Sequence, residues 1–223
     1  MDANQPKTGV VFDLDGTLLN TLQDLADSVN ATLRQYGHAP RDLKEIKSFV
    51  GGGIKKLMQR VLPEDISPDD FKERFEYFCG HYRRNIKNKT RPYPGVLRAL
   101  RELKKAGAAL AIVSNKFQEG VDALRDHFFS NIIDVAIGNQ EGIMPKPAPD
   151  SLYLAIHKLG LDANKDRIFY VGDSEIDILT SRAAGIPLIA VSWGFRTESE
   201  LLALNPEYMA AKPEDIVKIV RED

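Results

Sequence analysis

Val10-Val11-Phe12-Asp13-Leu14-Asp15-Gly16-Thr17 begins apolar and β-branched and ends on two carboxylates and a glycine. Such a run suits a strand buried on both faces that breaks into a turn at Gly16. The same design recurs downstream. Ala109-Leu110-Ala111-Ile112-Val113 runs into Ser114-Asn115, and Ile168-Phe169-Tyr170-Val171 runs into Gly172-Asp173. Ile132–Ile137 leads into Gly138, and Pro187–Val191 into Ser192-Trp193-Gly194. Helical spacing separates these runs. Val96-Leu97-Leu100-Leu103 stops near Gly107, Leu152-Leu154-Ala155-Leu159 stops at Gly160, and Ile176-Ile178-Leu179-Ala183 stops at Gly185. Alternating strands and helices predict an α/β fold with a parallel sheet.

One stretch departs from this alternation. From Leu22 to Lys89 the apolar spacing is helical and no strand is evident. Leu22-Leu25-Ala26-Val29-Leu33, Ile54-Leu57-Met58-Val61-Leu62 and Phe71-Phe75-Phe78-Tyr82 each mark a helix. The expected division is a catalytic core of 1–20 and 91–223, with a helical cap at 21–90 inserted after the first strand.

The 223 residues are 43% hydrophobic and 28% charged, and 30 Lys and Arg nearly balance 32 Asp and Glu. That balance gives no support for a nucleic-acid or membrane partner, so anion affinity has to come from a local site. The single cysteine, Cys79, excludes an internal disulfide. No apolar run reaches the roughly 20 residues that span a bilayer, and no secretory leader is visible, so a cytoplasmic protein is expected. The oligomeric state is left open.

Polar residues end three separate strands, and in an open parallel sheet such ends face one crevice. Asp13 and Asp15 project to the same side of an extended chain, where two crowded carboxylates invite a hard cation. Alone, the pair reads equally well as a polar strand end entering a turn. Asp173 and Asp177 lie on one face of a predicted helix start. Alone, they read better as an acidic first turn capped by Ser174; beside Asp13 and Asp15 the metal reading gains. Ser114 and Asn115 stand where an anion could bind or a helix be capped. Lys146 sits between prolines in Met144-Pro145-Lys146-Pro147, either aimed by the stiff backbone or solvated in a surface loop.

Taken in order, these pieces resemble the haloacid-dehalogenase-like hydrolase superfamily over essentially the whole chain. Val11–Leu18 resembles its first motif and Ile112-Val113-Ser114-Asn115 its second. Lys146-Pro147-Ala148-Pro149 resembles the third and Val171–Asp177 the fourth. The resemblance implies a Rossmann-like core and a helical cap. It implies Asp13 as nucleophile, forming an aspartyl-phosphate, and Asp15 as the acid and base that serves the leaving oxygen and then water. Mg²⁺ would be held by Asp13, the Asp15 carbonyl and Asp173, with Asp177 in support. Ser114, Asn115 and Lys146 would hold the phosphoryl oxygens. Thr17 stands where sugar-phosphate mutases of the group usually carry Val, which favours a phosphatase. The phosphoglycolate-phosphatase-like subgroup fits best, its partner a small phosphorylated metabolite. Alternatives within the superfamily are a pyrophosphatase or a nucleotide or sugar phosphatase. A phosphomutase or a non-catalytic sensor fits less well, since both Asp13 and Asp15 are present. Gly51-Gly52-Gly53 resembles a substrate loop in the cap and reads almost equally well as a flexible turn.

Overall fold

The computed structural model describes residues 6–222. β1 (Thr8–Phe12) leads into β2 (Leu19–Asn20), then α1 (Leu22–Gln35), α2 (Leu43–Phe49), α3 (Ile54–Val61), α4 (Pro68–Asn85) and β3 (Arg91–Pro92). The chain then alternates through α5 (Val96–Lys105), β4 (Ala109–Phe117), α6 (Gln118–Phe128), β5 (Val135–Asn139) and α7 (Asp150–Lys158). It ends in β6 (Arg167–Gly172), α8 (Glu175–Ala184), β7 (Leu188–Val191), α9 (Glu198–Leu202), β8 (Tyr208–Ala210) and α10 (Pro213–Glu222). Leu19–Arg91 forms one compact unit, and the chain on either side of it forms the other. No helix among the described residues is long and apolar enough to cross a membrane.

The flanking unit is built on a six-stranded sheet in the order β5-β4-β1-β6-β7-β8. Every pairing in it is parallel, as the continuous apolar runs require. β1 lies between β4 and β6, with Val11 opposite both Ala111 and Tyr170. This shared register puts all three on one face. There they join Val113, Ile137, Leu152, Ala155, Ile178 and Leu188 in a continuous buried cluster under α7 and α8. Val10, Phe12, Leu110, Ile112 and Phe169 are buried too, as are the apolar sides of α5 and α10. The sheet is therefore dry on both faces, and its polar chemistry is confined to strand ends. Because β1 pairs with strands on both sides, its carboxyl end is the point where chain connections diverge, and ligands of such sheets bind there.

Three details differ from the sequence expectation. The strand expected over Ile132–Ile137 begins only at Val135, because Ile132 and Ile133 close a turn back onto the Phe129 carbonyl. Ile133 is still buried, so its hydrophobicity reports the core and not a strand. Helices α2, α9 and α10 and strands β2, β3 and β8 have no counterpart in the sequence pattern, and the helix expected near Ser114 and Asn115 starts only at Gln118, because β4 continues to Phe117.

The helical unit packs α1 against α4 through Leu25, Val29, Leu33, Phe78 and Tyr82, all buried. Asp24, 1% exposed, accepts hydrogen bonds from the backbone N–H groups of Lys89 (2.9 Å) and Thr90 (2.8 Å). It thereby ties the first helix to the returning chain. Between α2 and α3, Gly51, Gly52 and Gly53 have φ of 135°, 75° and 91°. A Cβ at Gly52 would also meet Lys56 Cδ at 2.8 Å. Left-handed backbone disfavours a β-branched residue. Gly52→Val is therefore expected to cost about 1–3 kcal/mol, lowering the melting temperature by several degrees in a thermal scan. An unchanged melting curve would show that the loop relaxes freely.

Candidate active site

Asp13 follows directly on β1, and its N–H donates to the Val171 carbonyl at 2.8 Å, fixing the strand end against β6. The side chain is buried. Three residues on, Gly16 turns the chain with φ 94°, and a Cβ there would run into the Asp173 carboxylate. Only glycine lets the loop after Asp13 close on Asp173. Asp173 is held by Thr17 Oγ1, which donates to Oδ1 at 2.8 Å, and by the Phe195 N–H, which donates to Oδ2 at 2.7 Å.

Asp177 sits one helical turn into α8 and caps it. Its Oδ2 accepts from the Ser174 N–H (3.1 Å) and hydroxyl (2.6 Å). Its Oδ1 accepts from Lys146 Nζ and from the Tyr170 hydroxyl, both at 2.7 Å. One Asp177 oxygen thus caps the helix while the other meets Lys146.

Lys146 is 6% exposed and lies far from a solvated loop lysine. Its ammonium reaches Asp177 at 2.7 Å, Asp13 Oδ1 at 2.9 Å and the Tyr170 hydroxyl at 2.9 Å. Its backbone is clamped by Asn115, whose Nδ2 donates to the Lys146 carbonyl (2.9 Å) and whose Oδ1 accepts from the Lys146 N–H (2.8 Å). The family resemblance implies Asn115 on phosphoryl oxygens. Its side chain is spent instead on aiming Lys146, because an amide matches a backbone N–H and C=O pair. Ser114 Oγ lies 3.5 Å from Asp15 Oδ2.

Carboxylate oxygens of Asp13, Asp173 and Asp177 lie within 4.8 Å of one another, all three residues buried. Burial pushes Asp13 well above the usual carboxylate range; Lys146 opposes this, and Asp177, Asp173 and Asp15 add to it. Asp173 is pushed up to about 7 by burial and by Asp177. Burial also penalises the Asp177 charge, but Lys146 and the hydrogen bonds from Lys146, Ser174 and Tyr170 outweigh it and keep Asp177 ionised. Burial would discharge Lys146, and Asp13 and Asp177 hold it charged. One ammonium thus faces more negative charge than it balances. Asp13 Oδ1 makes no hydrogen bond among the described residues, its partner being the Lys146 ion pair. Three crowded carboxylates around one ammonium fit a divalent cation. Asp177 carries the Lys146 ammonium and the Tyr170 phenol on one oxygen and Ser174 on the other, whereas each Asp173 oxygen takes one neutral donor, so Asp13 and Asp173 are the better ligands.

Three side chains at this site escaped the sequence reading. Tyr170 braces Lys146 and Asp177 from within β6. Burial and the nearby Asp173 and Asp15 carboxylates push the Tyr93 phenol up, so it stays a donor. Lys116 pairs with Asp15 at 2.7 Å. Tyr170 lies inside an apolar strand run, and Lys116 lies where β4 continues beyond the run that ends at Val113.

The residues 10–191 match the model of the haloacid dehalogenase-like hydrolases. The chain belongs to that family. A phosphoglycolate phosphatase from Mesorhizobium japonicum is 38% identical to it over 190 residues, covering 83% of each chain. One from Aquifex aeolicus is 31% identical over 214 residues, covering 95% of each. The crystal structure of a predicted phosphoglycolate phosphatase from Haemophilus somnus matches with a TM-score of 0.88 at 30% identity, covering 98% of this chain and 99% of that one. This haloacid dehalogenase-like hydrolase therefore shares both its fold and nearly its full length with phosphatase relatives.

Proposed function

We propose that the chain hydrolyses a small phosphate monoester by passing the phosphoryl group through Asp13. The observation that carries this reading is the meeting of Asp13, Asp173 and the buried Lys146 ammonium at one strand end. Phosphoryl transfer asks for positioning and charge neutralisation above all. Asp13 attacks phosphorus, Lys146 draws the phosphate against it, and Ser114 steadies a phosphoryl oxygen. Asp15 gives a proton to the departing ester oxygen and then takes one from the water that releases phosphate. Asn115, Tyr170 and Asp177 keep Lys146 aimed.

Mg²⁺ is the ion we assign, held by Asp13, Asp173 and the Asp15 carbonyl with Asp177 behind them. When bound, it offsets the charge that a carboxylate and a phosphate dianion bring together. A cation there competes with the protons on Asp13 and Asp173. Raised pKa values mean that this competition weakens as pH climbs, so affinity is expected to increase from pH 6 to pH 8. Calorimetric titration with MgCl₂ at both values checks this; equal affinity would contradict the ligand set. Turnover is expected to vanish with EDTA and return with Mg²⁺, and full activity after exhaustive chelation would reject the metal.

The relatives' names point to phosphoglycolate as substrate, and a cytoplasmic setting belongs to the same reading. We assign catalysis to the sheet unit and choice of leaving group to the helical unit, with Gly51, Gly52 and Gly53 as its candidate selectors. A panel of phosphorylated metabolites ranked by kcat/KM tests this. Phosphoglycolate ranking below sugar phosphates, nucleotides and pyrophosphate would overturn the substrate. A Gly52→Val ranking identical to wild type, measured well below its melting temperature, would make the glycines purely structural.

A further inference from the structure

Lys116 raises a question that the proposed steps leave unanswered. Its side chain is 3% exposed, and its ammonium lies 2.7 Å from Asp15 Oδ1. Burying a lysine charge is costly unless it is well paired. Lys146 already answers the nucleophile and the phosphate, so this second buried ammonium serves another group. β4 shows how it is aimed. The register of β4 against β5 shifts between Val113 and Phe117, so the side chains' directions are read from their contacts. Ser114 and Lys116 both reach Asp15, while Asn115 reaches the Lys146 backbone.

The chemistry of the pair makes Asp15 lopsided. An ammonium has donors only, so the oxygen it touches must accept. Oδ1 is therefore committed, while Oδ2 has only the long 3.5 Å contact with Ser114. The Asp15 side chain keeps 21% exposure, which leaves it open to an incoming ester. Oδ2 is therefore the oxygen left to face a reacting group.

We propose that Lys116 is a positioning residue that anchors Asp15 by Oδ1 and so turns Oδ2 toward the leaving oxygen. This rests on the phosphatase reading above. In the step concerned, an Asp13 oxygen bonds to phosphorus and the bond from phosphorus to the ester oxygen breaks. The electron pair stays on that oxygen, and a proton from Asp15 joins it, so a neutral alcohol departs. Asp15 is left as the carboxylate, paired with Lys116.

Leaving groups separate this role from a structural one. An alkoxide leaves poorly without a proton, whereas p-nitrophenolate leaves readily. Lys116→Met should therefore lower kcat/KM for the wild type's best alkyl phosphate at least tenfold more than for p-nitrophenyl phosphate. kcat/KM is used because it reports the steps up to the first irreversible one, before water enters. Lys116→Arg, which keeps a charged donor, should bring the ratio of the two substrates back toward wild type. If Lys116→Met does not melt cooperatively, Lys116→Gln carries the same comparison. Equal losses on both esters, or no loss on either, would overturn the proposal. A wild type that turns over neither ester with Mg²⁺ would instead overturn the phosphatase reading.

Discussion

Replacing Asp13 by Asn is expected to lower kcat by a thousandfold or more, an order-of-magnitude loss typical of removing a nucleophile. An amide of the same shape keeps the hydrogen-bonded strand end but offers phosphorus no carboxylate. The fold should survive. Burial pushes the Asp13 carboxyl well up, against the pull of Lys146, so the native site disfavours its charge and accommodates a neutral side chain. Asp13→Asn is accordingly expected to melt at or above the wild-type temperature without metal. Steady-state rates beside a thermal scan check both halves. A kcat near wild type would remove Asp13 from the mechanism.

Lys146→Ala is expected to damage both activity and stability. Three groups converge on its ammonium: Asp13, Asp177 and the Tyr170 hydroxyl. Removing one partner of a buried ion pair typically costs about 3–5 kcal/mol, because the remaining charge has nothing to answer it. Here Asp177, with a fully buried side chain, is the charge left behind. In catalysis, the lost charge is one that the phosphate and Asp13 share, and a fall in kcat/KM of about a hundredfold or more is expected. Urea denaturation and kinetics at low temperature separate the two effects. An unchanged rate in a folded variant would return Lys146 to a purely structural role.

These expectations draw on parts of the site that differ in how readily they are read from sequence. Asp13, Asp15, Asp173 and Asp177 each follow an apolar run or open a helix, where turn and capping uses are open to them singly, and they stand out because these ends converge on one side of a parallel sheet. Lys146 stands out only through its prolines, yet its burial depends on Asn115, which is 31 residues away in sequence. Tyr170 looks like an ordinary strand residue, and Lys116 falls beyond the apolar run that ends at Val113. Their roles depend on which face of β6 and β4 they occupy, and sheet order fixes that face: β1 between β4 and β6. The helical insertion is legible from its 3.6-residue period, whereas short α9 and β8 carry too few apolar residues to declare themselves. The three glycines were legible as a turn, and their left-handed backbone explains why no other residue stands there.

The most direct test is to look for phosphate on Asp13 itself. Wild-type protein mixed with substrate and Mg²⁺ is quenched in acid during turnover, digested and mapped by mass spectrometry. The account predicts a phosphorylated peptide containing Asp13, absent from Asp13→Asn and lost on treatment with hydroxylamine. Steady turnover with phosphate on another residue, or with no trapped phosphoprotein under single-turnover conditions that consume the substrate, would contradict it.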